Sequence, residues 1–143
     1  MNLATRLSAW VRLVYKALRA LISTVLVFRR KKVHLFILKA ITANPYARPQ
    51  PGERLTIQRI AERTKSAQID YEVGDLTIGQ RMGWNYVTKQ QRKTAADRAG
   101  WLRSIGLPDR NNPKYEEQIE EILQQMVEEG KLSYHPPVSY SIR

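Results

Sequence analysis

The chain keeps its acids out of one end. Its first 52 residues hold ten Lys or Arg and no Asp or Glu, and the first carboxylate is Glu53. The rest is close to balanced, with fourteen bases and thirteen acids. Nearly all of the net charge of +11 therefore sits in the first third. Such a segment cannot neutralise itself with internal ion pairs. It must meet acids from elsewhere in the chain, stay in water, or bind an anionic partner.

The apolar pattern of that segment predicts a helix. Arg12, Lys16, Arg19 and Ser23 recur at the spacing of one helical stripe. Trp10, Leu13, Val14, Ala17, Leu18, Leu21, Ile22, Val25 and Leu26 fill the remaining sides. A membrane span is disfavoured, because Trp10–Phe28 reaches spanning length only by carrying three cations. A cleaved secretory signal is disfavoured for the same interruptions. An acid-free, Arg-rich amphipathic start instead suits mitochondrial import. It also suits an interfacial helix lying on anionic lipid. Arg29-Arg30-Lys31-Lys32 is expected to close this helix, with cations near its negative end. A second apolar helix, Val33–Ala43, should follow and stop before Asn44-Pro45.

This gives three units: a basic helical arm at 1–46, a Pro-rich linker at 47–54 and a small α+β domain at 55–143. In the domain, Thr56 is expected to cap a helix over Ile57–Lys65. Ile69, Tyr71 and Val73 alternate with polar residues and predict a short strand. Thr77–Met82 reads as one helical turn. Asn85 should cap a helix over Tyr86–Ile105, with Gly106 as its C-cap. Asn112 and Pro113 should start a last helix, whose stripe is Tyr115, Ile119, Ile122, Leu123, Met126 and Val127. Gly130 ends it. Leu132, Tyr134, Val138, Tyr140 and Ile142 then predict a hairpin with one apolar face. The fold class is α+β, mostly helical.

Enzyme signatures are absent from the sequence. There is no cysteine, no Gly-rich phosphate loop and no zinc-binding His pair. His34 falls in an apolar run, where packing or a polar neighbour accounts for it, and His135 at a Pro-Pro turn should be exposed. The six glutamates at 116, 117, 120, 121, 128 and 129 share the polar side of one helix and read as a solvated face. No catalytic residue, cofactor, metal or small-molecule substrate is expected. The candidate anionic-surface residues are Arg12, Lys16, Arg19, Arg29, Arg30, Lys31 and Lys32. A second basic surface is Lys89, Arg92, Lys93, Arg98 and Arg103, which can face phosphates or pair with the acidic helix after it.

The closing stretch QQMVEEGKLSYHPPVSYSIR resembles the end of a winged helix: helix, glycine, strand, turn, strand. In DNA-binding members the helix before the wing commonly meets DNA. Here that helix carries the six glutamates, which repel phosphate. The resemblance therefore implies a protein-contact surface there. The reading that follows is a non-catalytic accessory subunit of a larger assembly. Its arm, residues 1–46, binds an anionic membrane surface or RNA, and its place is mitochondrial and membrane-associated. The alternative is a winged-helix-like DNA- or RNA-binding protein, cytoplasmic or viral.

Overall fold

The structure of the protein is a computed structural model, and it describes residues 3–42, 53–136 and 139–143. One helix, α1, runs unbroken over Leu3–Thr42. The expected break at Arg29–Lys32 does not occur. Four cations favour a helix end, but they do not create one; only a residue that cannot continue the helix does so. Such a pair comes in the sequence at Asn44-Pro45, and the described part of α1 reaches Thr42.

Strand β1 (Leu55–Thr56) leads into α2 (Ile57–Val73). Thr56 caps α2 as expected, its side chain accepting from Arg59 N–H. The helix runs on through Ile69, Tyr71 and Val73, so the predicted strand is overturned. The reason lies in a different stripe of the helix. Ile57, Ile60, Ala61, Thr64, Gln68 and Glu72 recur at helical spacing, and all are buried. Three of these are polar, which hides the stripe from an apolar search. Each polar group is satisfied. Thr64 donates to the Ile60 carbonyl at 2.8 Å. Gln68 donates to the Pro108 carbonyl at 3.1 Å and accepts from the Tyr115 hydroxyl. Glu72 takes Arg110 at 3.0 Å.

The short α3 (Ile78–Arg81) and the longer α4 (Lys89–Ile105) each open with a capping box, Thr77 with Gln80 and Thr88 with Gln91. Thr88 therefore replaces Asn85 as the cap of α4. Gly106 ends α4 at φ 109, and a Cβ there would press Val33 Cγ2 at 3.4 Å. Helix α5 (Tyr115–Glu128) begins later than expected. Asn112 spends its side chain on the Lys114 N–H, in the turn before the helix. Strands β2 (Leu132–His135) and β3 (Ser139–Ile142) form the expected hairpin, and β1 joins β3 on its far side, giving the antiparallel order β1-β3-β2. Leu55 lies opposite Tyr140, and Leu132 opposite Ile142. Tyr140 is buried, while its neighbour Tyr134 is 46 % exposed and lies at the rim instead of in the core.

One core joins these elements. It contains Ile57 and Ile60 from α2, Leu102 and Ile105 from α4, and Ile119, Leu123 and Met126 from α5, with Leu55, Leu132 and Tyr140 from the sheet. It also contains Val33, Ile37 and Ile41 from α1. Arg63 fastens that end of α1 by donating to the Ile41 carbonyl at 3.0 Å. The expected boundary thus does not divide the packing: the last turns of the supposed arm are core. Residues 47–52 of the expected linker, and Val138 of the hairpin, lie outside the described residues.

Candidate functional site

The first three-quarters of α1 touches little of the domain. Every described side chain from Thr5 to Lys31 is exposed, Trp10, Leu13, Leu21, Ile22 and Phe28 among them. The helix rises about 1.5 Å per residue, so this stretch is roughly 40 Å long. It lacks acids, and it is not long and apolar enough to cross a membrane, nor is any other helix among the described residues.

Its faces are in register with the domain. A step of 18 residues is about five turns at 3.6 residues per turn. Arg12, Lys16, Arg19 and Ser23 therefore stand on the same side of α1 as Arg30, His34, Ile37 and Ile41. The last three of these are buried against the domain, and Arg30 reaches Glu129 at 3.4 Å. The opposite side starts with Trp10, Leu13, Ala17 and Leu21. It continues five turns on with Phe28, Lys31, Leu35 and Lys39, all exposed. The basic stripe thus runs along the domain side of the helix, and the apolar face looks away from the domain.

The root of the arm is tied down by charge. Glu129 meets Arg30, lies 3.2 Å from His34 Nδ1 and holds Lys131 at 3.1 Å. Lys131 Nζ lies 2.7 Å from His34 Nδ1. His34 is 1 % exposed. Burial first, and the Lys131 ammonium next, hold its pKa below the usual histidine value. The hydrogen bond from Lys131 holds the Glu129 carboxyl below the usual carboxylate range. Lys32 lies over the rings of Phe28 and Trp101, at 4.6 and 4.8 Å from their centroids.

The structure therefore splits the seven arm cations. Arg12, Lys16, Arg19, Arg29 and Lys31 are exposed on the projecting helix. Arg30 and Lys32 serve the joint with the domain. Glu129, Lys131 and Trp101, which complete that joint, escaped sequence reasoning. His34 and Lys131 are 97 residues apart, and no spacing rule connects them.

The second basic surface also divides. Lys89, Arg92, Lys93 and Arg103 lie exposed along the outer face of α4. Arg98 turns inward to Asp75 at 2.7 Å and to the Tyr71 carbonyl at 3.4 Å. The pairing considered between α4 and the acidic helix is not formed among the described residues; Arg98 takes Asp75, and Glu129 takes the root of α1. On α5, Glu116, Glu117, Glu121 and Glu128 are exposed and Glu120 is half-buried. His135 is half-buried, not exposed, and its Nε2 lies 2.8 Å from Ser141 Oγ across the hairpin.

A depression of about 560 Å³ opens between α2 and the start of α5, and its carboxylates Glu62 and Glu116 are exposed. No group of three His, Asp or Glu among the described residues is placed to hold a metal ion. The chain matches no family model, no curated protein and no solved structure.

Proposed function

We propose that the protein is a non-catalytic accessory subunit that holds its domain against an anionic membrane surface through the projecting part of α1. The observation that carries this reading is the register of the helix. With Trp10, Leu13, Ala17 and Leu21 turned into a bilayer interface, the domain falls on the aqueous side by the geometry of one continuous helix. Arg12, Lys16 and Arg19 then stand above the headgroup plane, within reach of lipid phosphates by snorkelling. Lys31 and Lys39 point toward the headgroups near the joint.

Magnitudes favour lipid over RNA as the anionic partner. Full burial of a Leu, Val or Phe side chain contributes about 1.5–3 kcal/mol. A cation near an anionic leaflet contributes about 1 kcal/mol. The apolar face therefore outweighs the stripe, and only the bilayer offers a phase for that face. The acid-free helix also suits an import machinery, so a mitochondrial membrane is the proposed location. The exposed glutamates of α5 are proposed to face the other subunits.

Co-sedimentation of the full chain with vesicles tests this. Vesicles with an anionic lipid should bind it, and neutral vesicles should bind it less. Changing Leu13, Leu21 and Val25 to Ser should abolish binding. Changing Arg12, Lys16 and Arg19 to Gln should weaken it by roughly 100-fold, at about 1 kcal/mol per cation. Equal retention by both variants would remove the reading.

A further inference from the structure

Between α3 and α4 the chain offers two aromatic rings to water on a turn held from several sides. Trp84 is 75 % exposed and Tyr86 is 77 % exposed. The Trp84 and Asn85 N–H groups both donate to the Gly79 carbonyl, at 2.8 and 3.0 Å. Gln80 Nε2 donates to the Tyr86 carbonyl at 3.0 Å and to Gln91 Oε1 at 2.9 Å. Those two glutamines also close the capping boxes of α3 and α4, so the helix starts and the turn are one hydrogen-bonded unit. The turn folds back closely enough that a Cβ on Gly79 would meet Asn85 Nδ2 at 2.3 Å. The backbone is fixed, and the rings contribute nothing to the core it frames.

The basic face of α4 begins three residues later. Lys89, Arg92, Lys93 and Arg103 lie on the side of α4 opposite Leu102 and Ile105, and none of the four makes an ion pair among the described residues. They span about 21 Å of helix axis. Ala96 and Gly100 stand between them on that face, and a Cβ at Gly100 would meet nothing within 4 Å; exposed Asp97, one turn after Lys93, borders the track as the one carboxylate of α4.

Rings flanked by cations suit two phases, a bilayer interface and single-stranded nucleic acid. The outer face of α4 favours the second. It has no large apolar side chain to sink into lipid, and an interfacial helix needs one. It has what a single strand uses: π-faces for bases at one end and cations spaced along a backbone path. We propose that Trp84 and Tyr86, with Lys89, Arg92, Lys93 and Arg103, form a site for single-stranded nucleic acid. Bases stack on the two rings, and the phosphates run along α4. Recognition by stacking and charge makes the site tolerant of sequence. It uses neither the cations nor the apolar face of α1, so it stands or falls separately from membrane attachment.

The test is fluorescence anisotropy of a labelled oligothymidylate and a labelled oligouridylate with the full chain, over a range of salt. Stacking is worth about 1–3 kcal/mol per base, so Trp84→Ala with Tyr86→Ala should weaken binding by about tenfold or more. Trp84→Phe with Tyr86→Phe keeps the π-faces and should keep most of the affinity. Changing the four α4 cations to Gln should weaken binding and flatten the slope of log affinity against log salt by about 0.7 for each phosphate no longer neutralised. Arg12→Gln, Lys16→Gln and Arg19→Gln should leave both readings in place. Each variant changes exposed side chains, and an unaltered thermal melt shows that it is folded. Unchanged binding by the Ala pair, or equal loss in the Phe pair, would overturn the site. Loss only in the arm variant would mean that the strand adheres to α1, and the proposal fails. If the Ala pair loses vesicle binding but keeps the oligonucleotide, the rings are a lipid contact, and the proposal also fails.

Discussion

Two stretches of α1 have similar apolar content and opposite surroundings. From Leu3 to Lys31 the helix lies in water on every described side. From Val33 to Ile41 it enters the domain core, where Ile37 is 0 % exposed. The difference is what occupies one stripe. In the first stretch that stripe is Arg12, Lys16, Arg19 and Ser23, and in the second it is His34, Ile37 and Ile41. A core accepts the second set and cannot accept three unpaired cations. The helix thus changes its partner phase along its length while keeping its register, and that is how one element both roots in a domain and projects from it.

The sharpest way to break this comparison is to cut between the two stretches and then beyond both. A fragment starting at Arg29 keeps Val33, Ile37 and Ile41 and should melt cooperatively, much like the full chain. A fragment of residues 53–143 loses all three. At about 1.5–3 kcal/mol each, that is most of a typical domain stability of about 5–15 kcal/mol. It should show no cooperative transition by circular dichroism. A cooperative melt for 53–143 would return the last turns of α1 to the arm.

Single substitutions sharpen the same contrast. Ile37→Ala should cost about 2–5 kcal/mol in denaturant unfolding, since it empties a filled site. Leu13→Ala should stay within about 0.5 kcal/mol, because Leu13 is 65 % exposed and touches no core. Two aliphatic residues on opposite faces of one helix should thus differ several-fold in cost.

Much of this was legible in the sequence, for identifiable reasons. The Thr56 cap, the Gly106 stop and the α5 stripe are local signals, and they stand where residue chemistry puts them. The closing hairpin was visible from alternation after Gly130, whereas β1 was not, since two residues are too few for a pattern. The failures have a common cause. Ile69, Tyr71 and Val73 alternate, but the stripe that decides α2 includes Thr64, Gln68 and Glu72, and the partners of the last two, Pro108, Arg110 and Tyr115, lie far along the chain. The joint of Arg30, His34, Glu129 and Lys131 is long-range in the same way. Trp84 and Tyr86 carry no pattern of their own, because a ring in a turn has no periodicity to mark it, and the helix expected from Tyr86 starts only at Lys89.

A register test acts on binding and leaves folding alone. Two alanines inserted between Leu26 and Val27 rotate the arm by roughly 200° relative to the domain, at about 100° per residue. The apolar face then turns toward the domain side, and lying on a bilayer would drive the domain into it. Vesicle binding should fall by about tenfold or more. Seven inserted alanines complete about two turns, restore the register and should restore binding. Both variants should melt like the parent. Equal binding by the two insertions would show that the arm acts as a flexible tether, and the geometric basis of the membrane reading would go.

The smallest effect should come from protons at the joint. His34 is neutral in the fold because burial disfavours the imidazolium and Lys131 adds like-charge repulsion. Its folded pKa therefore lies below the unfolded value of 6.5. Above 6.5 neither state takes the proton, and stability does not depend on it. As pH falls below 6.5 the unfolded chain protonates first, so stability should decline toward the folded pKa. The slope of one such group is at most about 1.4 kcal/mol per pH unit. Glu129 acts in the same direction lower down, since its depressed pKa withdraws stability only as pH falls below 4.5. Melts of the parent chain at pH 7.5 and 6.5 should thus lie close together, and the melt at pH 5.5 should fall below both. A His34→Gln chain keeps a polar group facing Lys131 but cannot titrate, and it should be level over that window whatever its absolute stability. If the two chains lose stability in parallel, protonation at this joint is not what couples the root of α1 to pH.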